Sequence, residues 1–195
     1  GEGFINMNER VQDRLDYLNN KSYRTKRVYS PLDVTNELLD APYSKRTTLL
    51  FLKAMEREEA ILHGDDIFGF NRLHACLPVD QNALRTKGDI IRFSGNMTID
   101  YASFLKEGIY GYKRRINEKY NQADDEAKEL YDNMLLCIDA IEKNVQKYVE
   151  LAKNSGNTTL YNALQHVPLN GATSYYEALI VIKYVSYILR IANID

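Results

Sequence analysis

Apolar residues along this 195-residue chain recur mainly at intervals of three and four, the spacing that lines up one face of a helix. Leu105, Ile109, Tyr112 and Ile116 follow that rule and predict a helix from about Thr98 to Tyr120, with the Thr98 hydroxyl as cap. Gly108 and Gly111 fall inside it, where each costs roughly 1 kcal/mol relative to Ala. Two such glycines imply that another backbone approaches closely. The longest element is predicted from about Asp124 to Asn154, with Leu130, Met134, Cys137, Ile141, Val145, Tyr148 and Ala152 as its stripe. Its acidic first turn suits the positive end of the helix dipole, and Gly156 ends it.

The other elements are shorter. A polar helix is expected over 8–20, and Ser30-Pro31 offers a start for a helix to about Asp40, broken by Ala41-Pro42. Ser44 can cap a helix running to about Leu62, with Gly64 as its stop. Glu58 falls within the apolar arc of that helix. The expectation is that it snorkels at the boundary, with a buried functional carboxylate as the alternative. From Asp65 to Asp89 the helical period is lost, and Ile67-Phe68-Gly69-Phe70 reads as a short extended segment. A short helix near Leu160 to His166 leads to Pro168 and an Asn170-Gly171 turn. The last helix opens with a capping box, Ser174 and Glu177. It is apolar nearly all round except at Lys183, Ser186 and Arg190, so something larger is expected to bury it. The fold class expected is mostly α, a bundle-like single domain over 1–195 with about six to seven helices.

Composition changes this picture little. Lys and Arg number 25 against 27 Asp and Glu, so no whole-molecule field draws the chain to nucleic acid or anionic lipid. Two cysteines make no disulfide framework, and no apolar run is long and uncharged enough to span a bilayer. A cytoplasmic protein is expected.

Candidate chemistry is sparse. Cys137 sits at a stripe position, where a small apolar residue belongs. Cys76 lies two residues from His74, a conceivable nucleophile pair that lacks an orienting partner. His63, His74 and His166 show no ligand spacing, so no metal is expected. The basic run Lys21 to Arg27 reads as a solvated loop or intersubunit contact rather than a nucleic-acid site. Asp65-Asp66 and Asp124-Asp125 read as turn and helix-start chemistry.

Four segments carry a family resemblance. GNMTIDYASFLKEGIYGY from Gly95 resembles the turn and following helix of the glycyl radical enzymes, the pyruvate formate-lyase-like family. HGDDIFGFNR from His63 is similar to that family's acidic, apolar and glycine phrase. QKYVELAK resembles the close of its long helix. HVPLNGATSYYEALIVIKYVSYIL resembles its Val-Pro turn and buried helix.

The resemblance implies the N-terminal helical part of such an enzyme's barrel. The catalytic Gly-Cys loop and the Arg-Val-x-Gly-Tyr radical loop are both missing from this sequence, so no catalytic residue is expected here. By transfer from the family, Asn96 is the expected substrate contact and Arg92 a looser one. Asn96 stands where many dehydratase-like members have His, and an amide is neither acid nor base near neutral pH. No cofactor is expected on this chain. The resemblance instead implies a glycyl radical on the full-length enzyme, installed by an iron–sulfur S-adenosylmethionine activating enzyme. Expected partners are a second copy or the remainder of the parent enzyme, and that activating enzyme. The alternative is a stand-alone, non-catalytic helical binding or assembly protein.

Overall fold

A computed structural model describes residues 9–20, 34–62, 66–70 and 99–192. Among them the chain is mostly helical, with seven helices and no strand, which is the fold class expected. It divides into two compact units, Gly1–Ser30 and Pro31–Asp195. The first contains α1 (Glu9–Asn19), whose Val11, Leu15 and Leu18 are exposed.

The second unit contains α2 (Asn36–Asp40), α3 (Tyr43–Arg57), α4 (Tyr101–Tyr120), α5 (Asp125–Asn154), α6 (Thr158–Leu164) and α7 (Tyr175–Ile191). The long α5 packs against α3, α4 and α6, while α7 packs against α4 and α3. Short polar side chains set several starts. Thr35 caps α2, Asp124 caps α5, Asn157 caps α6 and Ser174 caps α7, each accepting an orphaned N–H of the first turn. Glu177 reaches back one residue beyond the cap, accepting from the Thr173 N–H and hydroxyl at 2.6 and 2.7 Å.

Three boundaries differ from expectation. The expected Ser30-Pro31 start lies outside the described residues, and α2 is capped at Thr35 instead. Helix α3 starts after Pro42 without a side-chain cap and stops at Arg57, short of Leu62. Its C-cap residue, Glu58, is extended (φ −65, ψ 119), and that turn sends the side chain inward rather than along the surface. The cap of α4 is Asp100, whose carboxylate accepts from Ser103 N–H at 3.1 Å, and Thr98 lies outside the described residues. Hydrogen bonds from the Ser103 hydroxyl and N–H hold the exposed Asp100 carboxyl below the usual carboxylate range, against a smaller opposing effect of desolvation.

The glycine expectation has a structural answer. Gly108 leaves helical geometry altogether (φ 64, ψ −169), splitting α4 into 101–107 and 109–120. A break this sharp strands N–H and C=O groups on both sides. The segment before α7 satisfies them. Ile109 N–H donates to Pro168 O at 3.1 Å, Tyr110 N–H to Leu169 O at 2.9 Å, and Ala172 N–H to Leu105 O at 2.8 Å. A Cβ on Gly108 would strike the Asn170 carbonyl, and one on Gly171 would strike the Lys106 carbonyl. Two backbones therefore touch with no side chain between them. Gly111 has a different reason, since a Cβ there would meet the Glu107 side chain of its own helix. That carboxylate bridges the break to Arg114 and Arg115 at 3.0 and 3.1 Å.

The last helix does find cover within the chain. Ile180, Val181, Tyr184, Val185, Tyr187 and Ile191 are buried, so the expectation that something larger is needed to bury it is corrected. Phe70 is central to that cover. The 67–70 segment is not extended as expected. Gly69 and Phe70 take left-handed backbone (φ 64 and 53), which turns the Phe70 ring into the core. Its ring lies 4.5 Å from both Tyr148 and Tyr184, centre to centre, and 5.8 Å from Tyr187.

Candidate binding cleft

Helix α5 presents one face to two different surroundings. Along its C-terminal half Ile141, Val145, Tyr148 and Ala152 are buried as the stripe predicts. A polar cluster lies within that packing. Asn144, 1% exposed, donates to the Tyr187 hydroxyl at 3.2 Å and accepts from the Tyr184 hydroxyl at 3.3 Å. Burial pushes both tyrosines far above the ordinary phenol range, with Tyr148 adding to each and Glu58 adding at Tyr187. Glu58 is 1% exposed, so the surface reading of this carboxylate is corrected. Lys147 donates to the carbonyls of Glu56 and Glu58 at 3.3 Å. The tyrosines stay neutral and hydrogen-bonded, which makes this cluster a sealed polar core.

Along its N-terminal half the same face borders a cleft of about 320 Å³ between α3, α4 and α5. Phe104, Ile109, Tyr112 and Ile116 from α4 form one wall. Leu130, Met134, Ile138 and Ile141 from α5 form the other, with Ser44, Thr47 and Thr48 of α3 across from them. The break at Gly108 shapes this wall, because it lets the Phe104 and Tyr112 rings meet at 4.6 Å across it. Leu130 and Met134 are exposed and Cys137 is half-buried, so the predicted stripe is buried only from Ile141 onward. The Lys113 ammonium, 2.7 Å from Glu142 and 3.3 Å from Asp139, ties α4 to α5. These bonds outweigh desolvation and raise its pKa.

Cys137 lines the cleft as a half-buried thiol. Burial pushes it up to about 11, against the smaller opposing effect of a hydrogen bond with Thr48. A thiol this weakly acidic is not a nucleophile near neutral pH, in line with the packing role expected for it. Asn133 is the residue that periodicity missed. It is 3% exposed, lines the cleft, and its amide nitrogen has no hydrogen-bond partner among the described residues. An unmade buried hydrogen bond of this kind costs about 1–3 kcal/mol.

Asn96 and Arg92, the contacts transferred by resemblance, lie outside the described residues, as do His63, His74 and Cys76. His166 is within reach and is used structurally, its Nε2 lying 2.8 Å from Gly171 O in the turn before α7. Among the described residues no group of His, Cys, Asp and Glu is arranged to hold a metal ion. No described helix is long and apolar enough to cross a membrane. Compared with family models, curated proteins and solved structures, the chain matches none.

Proposed function

We propose that this chain is the N-terminal helical region of a glycyl radical-type enzyme, a scaffold without radical chemistry of its own. One observation carries this reading: the four segments that resemble the family are neighbours in space. Phe70 comes from the first of them, Tyr148 from the close of the long helix, and Tyr184 and Tyr187 from the last, and their rings form one cluster. The remaining segment, which begins at Gly95, joins the last one backbone to backbone at Gly108 and Gly171. Residues that carry a resemblance and also depend on one another for packing are poor candidates for coincidence.

On this reading the parent enzyme is a pyruvate formate-lyase-like lyase or acyltransferase, or a dehydratase or lyase of diol-like substrates. Its partners are a second copy and an iron–sulfur activating enzyme that installs the radical. Asn96 and Arg92 serve as its substrate contacts from this region. The reading is tested by sequencing the coding DNA downstream of Asp195. An open frame reaching a Gly-Cys loop and an Arg-Val-x-Gly-Tyr phrase is expected. A stop codon there would overturn it in favour of a non-catalytic helical binding protein, a reading that the apolar cleft favours.

A further inference from the structure

The cleft between α3, α4 and α5 does not end at Leu130. A second hollow of about 540 Å³ adjoins it there, and Ser44 and Leu130 line both. The two differ in charge. No charged side chain lines the cleft, whereas Asp124, Glu126 and Glu129 line the second hollow with no Lys or Arg among its walls. Asp124 is occupied as the cap of α5, and acids in a first turn suit the helix dipole. Glu129 lies beyond that turn. Both Glu126 and Glu129 are exposed, and neither forms a hydrogen bond or ion pair among the described residues.

Glu126, Leu130, Met134, Ile138 and Ile141 follow one another on α5 at steps of four, four, four and three. One row of the helix therefore passes from carboxylate to hydrocarbon. From Glu126 to Ile141 it runs about 22 Å, or four turns, the span over which a docked helix sets anchors at i, i+4 and i+7. Leu130 and Met134 are 52% and 40% exposed. A small molecule resting on them would keep much of its surface in water, unlike the occupant of an enclosed pocket. A helix laid along the row would cover both. We propose that the groove docks an amphipathic helix of a partner protein, apolar along one face and basic at the end over Glu126 and Glu129. Charge complementarity sets that polarity, since an acidic end would meet carboxylates with no cation between them. The proposal does not depend on the enzyme reading, because every residue in it belongs to this chain.

The probe is a helical peptide with leucines at i, i+4 and i+7 and lysines at i+11 and i+14. Its twin carries glutamines in place of the lysines. Each is titrated into the full chain, labelled at its isoleucine and methionine methyls, and followed by NMR. The lysine peptide is expected to shift Ile116, Met134 and Ile138, and at low salt to saturate at about fivefold lower concentration than its twin. That preference should fade as salt is added and vanish in the double variant Glu126→Gln, Glu129→Gln. The proposal is overturned if the lysine peptide leaves these methyls unmoved, if the twins bind equally, or if the preference survives in the variant. Shifts that grow with the chain's own concentration, before any peptide is added, would overturn it in favour of a second copy. Shifts with hexylamine but with neither peptide would do so in favour of a small amine. Should the variant fail to fold, the paired titration of the unsubstituted chain still decides.

Discussion

Asn133 and Asn144 stand eleven positions apart on α5, about three helical turns, so they share one face of the same helix. Both are almost completely removed from solvent. One is held between two tyrosine hydroxyls and the other has an amide nitrogen that bonds to nothing among the described residues. The difference comes from what packs opposite. Against the C-terminal half, α7 and Phe70 fill the space with rings that bring their own polar tips. Against the N-terminal half, α3 brings threonine hydroxyls already committed to its own backbone, the broken α4 brings rings and isoleucines, and a cleft is left between them. A buried amide is thus a structural device at one end of the helix and an unanswered donor at the other.

The contrast can be broken or sharpened by substitution. Phe70→Ala should cost about 3–5 kcal/mol, because it empties the centre of the sealed half. Urea denaturation measures this, and a loss below about 1 kcal/mol would mean that half is not tightly packed. Cys137 should react with iodoacetamide at pH 8 about a hundredfold more slowly in the folded chain than in the unfolded one, because burial pushes the thiol from 9.0 up to about 11. A Cys76→Ser background isolates the signal. The sign for stability follows: above pH 9 the unfolded thiol ionises first, so this group's contribution is lost as pH rises toward 11.

Asn144→Ala should cost about 2 kcal/mol, since the Tyr187 hydroxyl loses its bond to Asn144 and the Tyr184 hydroxyl is left with Ile141 O. Asn133→Leu should leave stability unchanged or raise it by about 1 kcal/mol, as it removes an unmade bond while keeping similar volume. Equal losses for the two asparagine variants in thermal denaturation would erase the distinction between the halves.

Much of this arrangement could be read in the residues. The spacing of Leu105, Ile109, Tyr112 and Ile116 located α4, Asp124 and Gly156 bracketed α5, and Ser174 marked the start of α7. The close approach implied by the interior glycines is realised at Gly108. Periodicity could not foresee that Gly108 breaks the helix, because the acceptors that make the break tolerable belong to Pro168 and Leu169, far along the chain. It placed Glu58 at the surface because it carried α3 one turn too far. It passed over Asn133 because the stripe rule counts apolar residues, and a buried amide is invisible to it. The transferred contacts Asn96 and Arg92 rested on resemblance alone and fall outside the described residues.

The joint between α4 and the turn before α7 also bears on the order of events in folding. Its partners are roughly sixty residues apart, and closing so long a loop carries an entropic penalty that nearby contacts do not. Helices α5 and α6 lie between them, and their formation shortens the distance to be searched. The joint is therefore expected to close late, and a substitution such as Gly108→Ala should mainly quicken unfolding while leaving the refolding rate nearly unchanged. Stopped-flow measurement of both rates would show whether this glycine seam is the final latch of the fold.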